Sequence, residues 1–180
     1  GNAADVLLRF FHKGSFAVLA GERAAKSGAL NEASVLLNQA LSYEGRVQLP
    51  KLQKAYIQRL LLRAQFGQGS LRECVALHQS AVALLGHPLP SGDKLQLGIG
   101  TLAQLARQIG YRLTAAGRQP PSSEQQRQAV AECLLLHQDV IEAYGWLGQL
   151  VEAVYCTLDA LNLSEYLQDR NHQATWSSIF

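Results

Sequence analysis

Three short stretches of this 180-residue chain share one pattern, Gly-x-Leu-x-Glu-small. They are Gly28, Leu30, Glu32 and Ala33; Gly69, Leu71, Glu73 and Cys74; and Gly148, Leu150, Glu152 and Ala153. The first two glycines are 41 residues apart and the last two 79, close to twice that step. Self-similarity at a fixed interval marks a repeated structural unit, and a period near forty residues suits a pair of helices. The pattern predicts an all-α chain built as an array of antiparallel helix hairpins.

The rest of the sequence agrees at the level of periodicity. Apolar residues recur at helical spacing almost throughout, β-branched residues are few, and no strand is expected. Residues 3–12 and 16–26 read as two helices parted at Gly14 and Ser15. Residues 31–42 read as the antiparallel partner, with Ala33, Leu36, Leu37, Ala40 and Leu41 on one face. A second pair covers 51–66, with Leu52, Tyr56, Leu60 and Ala64 inward, and 71–85. A fifth helix over 94–115, capped by Ser91 or Asp93, carries an apolar stripe of Leu97, Leu102, Leu105, Ile109 and Leu113. Gly98, Gly100 and Gly110 interrupt it and would allow close helix contact. Residues 116–123 are rich in turn formers and read as a linker. Ser122 with Gln125, or Ser123 with Gln126, makes a capping box for a helix running to Trp146. Residues 151–167 complete the last hairpin, 169–172 read as a turn, and 173–180 as half of a further helix.

Composition narrows the class. Hydrophobic residues make up 48% of the chain and charged ones 17%, ordinary values for a globular protein. No apolar run approaches the roughly 20 residues that span a bilayer, and the first residues lack the basic-then-apolar character of a signal peptide. A cytoplasmic protein is expected. The chain has no methionine and stops just after a new helical pattern begins, so residues 1–180 read as a single helical-repeat domain cut from a longer protein. Cys74, Cys133 and Cys156 are odd in number and set in apolar helical runs, which argues against a disulfide framework. Charge is lopsided: residues 1–118 hold 14 Lys/Arg against 6 Asp/Glu, and residues 119–180 hold 2 against 8. Such halves can steer different partners, or let copies or neighbouring segments meet head to tail.

In the first hairpin Gly21, Gly28, Leu30, Ala33, Leu37, Ala40 and Leu41 fall at the spacings of a tetratricopeptide repeat, which the chain resembles in degenerate form. Small side chains at Gly21 and Ala33 let two helices approach, Ala40 lets the next hairpin stack, and Leu30 and Leu37 fill the space between. Gly148, Leu150, Ala153, Thr157, Ala160 and Leu161 keep that spacing in the last hairpin, while the second puts Cys74 and His78 at its packing positions. A narrower likeness rests on Ala20 to Ala24, the stretch from Gly28 to Ala33, Leu84 to Pro90, and Ala153 to Leu163. Together these look like the helical region of large multidomain signalling ATPases that carry nucleotide cyclase or protein kinase domains. That resemblance implies a sensor or scaffold arm attached to catalytic domains, and supplies no activity of its own.

Chemical motifs are scarce. Two Cys-x-x-x-His pairs, Cys74 with His78 and Cys133 with His137, put a thiol and an imidazole on one helix face and could in principle assemble a zinc site. Their spacing is unlike common zinc fingers, and packing is the preferred reading, so no metal or cofactor is assigned. There is no phosphate-binding loop, no His-Glu-x-x-His and no Gly-x-Ser-x-Gly. Asp139 with Glu142, and Glu152 with Asp159, read as surface carboxylates, and no catalytic residue is assigned. Arg46, Lys51, Lys54, Arg59, Arg63 and Arg72 form the densest basic stretch, but they do not share a helix face and few aromatics accompany them, so nucleic-acid binding is disfavoured.

The function expected is a non-catalytic one: protein interaction or intramolecular regulation, with no membrane partner. Stacked hairpins leave a groove lined by their first helices, and Phe16, Glu22, Arg23, Gln58, Arg59 and Arg63, taken as exposed positions of those helices, are the candidate partner-binding residues. The alternative is a ligand-sensing helical domain with Tyr111, Tyr144, Tyr155 and Trp146 around a pocket. Any specialised site is expected in the irregular middle, between the second and third Gly-x-Leu anchors.

Overall fold

In a computed structural model the described residues are 3–43, 49–90, 94–113, 121 and 123–167. They form seven α-helices and no strand: α1 (Ala3–Lys26), α2 (Leu30–Ser42), α3 (Lys51–Gly67), α4 (Leu71–Leu84), α5 (Lys94–Leu113), α6 (Glu124–Trp146) and α7 (Leu150–Leu167). None of them is long and apolar enough to cross a membrane.

The Gly-x-Leu motif turns out to be a chain reversal with fixed hydrogen bonding. Gly28, Gly69 and Gly148 all have φ between +71° and +80°, a region that a side chain rarely adopts. In each case the glycine N–H donates to the carbonyl three residues back, to Ala25, Phe66 and Gly145. The next residue donates five back, from Ala29 to Ala24, Ser70 to Gln65 and Gln149 to Tyr144, each at 2.9 Å. This pair of bonds satisfies the last carbonyls of the incoming helix, and the following leucine opens the outgoing one. Gly86 ends α4 the same way, with φ +85° and His87 N–H donating to Val82 O at 2.9 Å. Because Pro88 and Pro90 follow, no helix returns at once.

Three-residue turns thus pair α1 with α2, α3 with α4 and α6 with α7, and each pair is in extensive contact. Neighbouring pairs also touch, α1 and α2 against α3, and α3 and α4 against α6. The approach is close where the sequence asked for it: a Cβ on Gly21 would lie 2.8 Å from Leu37 Cγ. Leu37, Ala33 and Ala40 are buried as expected. His78 takes in α4 the place that Leu37 has in α2, and is also fully buried.

One expectation changes and one open choice closes. The break at Gly14 and Ser15 does not occur, and α1 runs unbroken through 24 residues. One glycine within a helix costs only about 1 kcal/mol, which is too little to end it. The capping choice is resolved, with Ser123 Oγ accepting from Gln126 N–H at 3.2 Å. The 116–123 linker apart from Pro121 and Ser123, the caps Ser91 and Asp93, Arg46, and the segments 169–172 and 173–180 lie outside the described residues.

Helix α5 sits apart from the pairs and packs on α7. This makes α7 a central helix, buried from Tyr155 to Glu165 between α6 on one side and α5 on the other.

Candidate functional site

The surface between α5 and α7 is polar. Gln104 and Gln108, one turn apart on α5, are buried. Gln104 Nε2 donates to Asp159 Oδ1 at 2.7 Å and to Tyr155 Oη at 3.3 Å. Asn162 Nδ2 donates in return to Gln104 Oε1 at 2.7 Å and to its backbone oxygen at 3.0 Å. These bonds fix which side of α5 faces the molecule. With the glutamines inward, Leu102, Leu105, Ile109 and Leu113 of the predicted apolar stripe turn outward.

The outward face is ordered. Leu95, Ile99, Leu102, Ala106, Ile109 and Leu113 are spaced alternately four and three residues apart, the spacing of a coiled-coil seam. All are exposed, Leu102 at 66% and Leu113 at 79%. Of the predicted stripe only Leu97 is buried. The helix carries Lys94, Arg107 and Arg112 and no acidic residue. Lys94 and Arg107 are exposed on opposite flanks of the seam. Isolated surface leucines are commonplace, whereas a continuous apolar stripe five turns long is a binding feature.

The six predicted groove residues are not gathered in one place. Glu22, Arg59 and Arg63 share a hollow between α1 and α3 with Lys26 and Tyr56, while Phe16 and Arg23 line another between α1 and α2. Phe16, Arg23 and Arg63 are exposed and Glu22 is half-buried. Gln58 and Arg59 are buried instead. Gln58 Nε2 donates to Ser80 Oγ at 3.0 Å. Arg59 stacks its guanidinium over Tyr56 at 5.4 Å and pairs with Glu132 at 2.6 Å and Asp139 at 3.5 Å. Burial pushes the Asp139 carboxyl up against the pull of Arg59. Glu22 is held by Lys26 at 2.8 Å, a bond that lowers its carboxyl below the usual range. The charges in this hollow are largely neutralised from within. The basic stretch expected for nucleic acid is split in the same way, since Arg59 is consumed by the core ion pair while Lys51, Arg63 and Arg72 stay exposed.

A third constellation is wholly internal. Tyr144 Oη lies 3.3 Å from His78 Nδ1, His78 Nε2 lies 3.0 Å from His137 Nδ1, and His137 Nε2 lies 3.0 Å from Asp159 Oδ2. One assignment of protons satisfies every member: Tyr144 donates to His78, His78 to His137, and His137 to the Asp159 carboxylate. Burial drives the His78 imidazole well below its usual range, aided by its neighbour His137. Burial works to raise the Asp159 carboxyl, yet the bond from His137 brings it below the ordinary carboxylate range. Cys133 Sγ is 3.7 Å from His137 Nε2, the same nitrogen that faces Asp159. A thiol-imidazole-carboxylate triad needs the two partners on opposite ring nitrogens, so this is not a nucleophile and its base.

The two Cys-x-x-x-His pairs are therefore brought together only in part. Their histidines meet, but Cys74 Sγ donates to Leu62 O at 3.4 Å, and Cys156 of α7 joins the histidines in its place. Sequence spacing missed Cys156 because it belongs to neither motif. All three cysteines are buried free thiols, and burial raises Cys74 to about 11. The four aromatics proposed around a ligand are dispersed: Tyr144 is fully buried, Tyr155 nearly so, Tyr111 half-buried, and Trp146 is 76% exposed.

No family model matches the sequence, and no curated protein or solved structure matches it.

Proposed function

We propose that this chain is a non-catalytic interaction module, a tetratricopeptide-like stack of helix hairpins serving as a scaffold or regulatory arm of a larger signalling protein. Its docking element is α5, and its partner is an amphipathic helix with acidic residues flanking an apolar seam. The partner belongs either to another protein or to another part of the same polypeptide. The observation that carries this reading is the orientation of α5, with glutamines turned in and a four-three apolar seam turned out. Burying an exposed leucine or isoleucine is worth about 1.5–3 kcal/mol, so five such residues facing solvent constitute a large unused interface.

Charge selects the class of partner. α5 carries three cations and no acidic residue, so a second copy of it adds like charge, which disfavours pairing. An acidic-flanked helix gains from the same residues.

Two synthetic helices with leucines at four-three spacing test it, one with glutamates on both flanks and one with lysines. Fluorescence anisotropy is expected to give at least about tenfold tighter binding to the acidic helix, with an advantage that shrinks as salt is raised. Equal affinity for both, or no binding to either, refutes the assignment. Concentration-dependent dimerisation of the chain alone would point instead to a second copy as occupant.

A further inference from the structure

His78 of α4, His137 of α6 and Cys156 of α7 come from three helices, yet each brings a donor atom within 4.8 Å of the others. All three side chains have zero exposure. The imidazoles are held from behind: Tyr144 Oη occupies His78 Nδ1 and Asp159 Oδ2 occupies His137 Nε2. What remains are His78 Nε2 and His137 Nδ1, which face each other at 3.0 Å. Metal-binding imidazoles are characteristically oriented this way, with the second nitrogen engaged by a carboxylate or another polar group. Asp159 is itself anchored by Gln104 at 2.7 Å.

Charge supports a cation here more than a bare hydrogen-bond chain. Among the described residues the buried Asp159 carboxylate is hydrogen-bonded by Gln104 and His137, while Arg107 acts on it only through space. A divalent ion, one thiolate and that carboxylate sum to zero, so the ion leaves no uncompensated charge in the interior. Two imidazoles and a thiolate are the donor set of late first-row metals, not of calcium or magnesium.

We propose that His78 Nε2, His137 Nδ1 and Cys156 Sγ bind one divalent ion of the zinc class, with Tyr144 and Asp159 as positioning residues. The cluster is close enough for side-chain rotation to bring the donors to bonds of about 2.0–2.3 Å. Loading moves the His78 proton from Nε2 to Nδ1, where it donates to Tyr144 Oη. Cys156 gives up its thiol proton to solvent, so one proton is released per ion. His137 already donates from Nε2 to Asp159 and needs no change. The ion ties α4, α6 and α7 together, which couples the second helix pair to the third.

The full 180-residue chain, refolded with Co²⁺ alone and desalted, tests this by elemental analysis and absorption. The expected result is one cobalt per chain, with a thiolate-to-cobalt charge-transfer band. Cys156→Ala is expected to lose the band, whereas Cys74→Ala keeps both band and stoichiometry. Asp159→Asn is expected to weaken binding by roughly 10–100-fold. Circular dichroism establishes that each variant is helical, and His137→Gln provides a second ligand deletion should Cys156→Ala fail to fold. Wild-type protein that retains no cobalt, or a band of equal strength in Cys156→Ala, overturns the proposal.

Discussion

Individual residues carry the chain reversals, and their effects are separable. Gly69 has φ +79°, so Gly69→Ala is expected to destabilise the fold by about 1–2 kcal/mol even though a Cβ there would touch nothing. Gly145 also has open space around it but lies within α6, so Gly145→Ala is expected to be neutral or stabilising by up to about 1 kcal/mol. Urea unfolding of the two variants separates backbone conformation from packing. This much was legible in the sequence, because a turn requiring a left-handed residue leaves a glycine at a fixed offset from the next helix. The role of His78 was not legible. Its offset from Gly69 matches that of Leu37 from Gly28, and only the fold reveals that Tyr144 and His137 reach it. A neutral buried imidazole binds its proton less readily than in the unfolded chain. Stability is therefore full above the unfolded value near 6.5 and declines as pH falls through it, at up to about 1.4 kcal/mol per pH unit. Burial lowers His87 as well, which adds in the same direction. Urea midpoints between pH 7.5 and 5.5 are expected to fall, and His78→Leu is expected to remove most of the slope. An undiminished slope in that variant would assign the effect elsewhere.

At the scale of the element, periodicity identifies a helix but not the side it turns inward. Leu102, Ile109 and Leu113 announce an amphipathic helix over α5, and the period reading is right about its existence. It leaves the direction open because the deciding partners, Asp159 and Asn162, sit some fifty residues away on α7. Polar groups on α7 call for polar groups on α5, and the glutamines answer them. The irregular middle of the chain was singled out in the sequence as the place for a specialised site, and α5 lies within it. Similarly, Gly14 and Ser15 look like a break only when α1 is read without α2 beside it.

For the whole molecule, the lopsided charge has a partial internal explanation. Arg59 from the basic part pairs with Glu132 from the acidic part, and Arg63 approaches Asp139 at 4.0 Å, so neighbouring segments do meet through opposite charge. Removing Glu132 leaves the buried Arg59 guanidinium only its longer contact to Asp139, and Glu132→Leu is expected to cost about 3 kcal/mol. The double replacement with Arg59→Met is expected to recover much of that loss, which a double-mutant cycle in urea measures. Because Arg59 is committed to this bridge, it is a poor candidate for partner recognition, and Arg63 is an exposed cation of the hollow between α1 and α3, beside the Glu22-paired Lys26. On the proposed function, recognition belongs to α5 and not to that hollow. Anisotropy titration of the acidic amphipathic helix against Leu102→Asp/Ile109→Asp and against Arg63→Glu decides between them. The account predicts that the α5 variant loses at least about tenfold in affinity while remaining fully helical, and that Arg63→Glu binds as wild type. Loss of binding in Arg63→Glu with affinity kept in the α5 variant would contradict it.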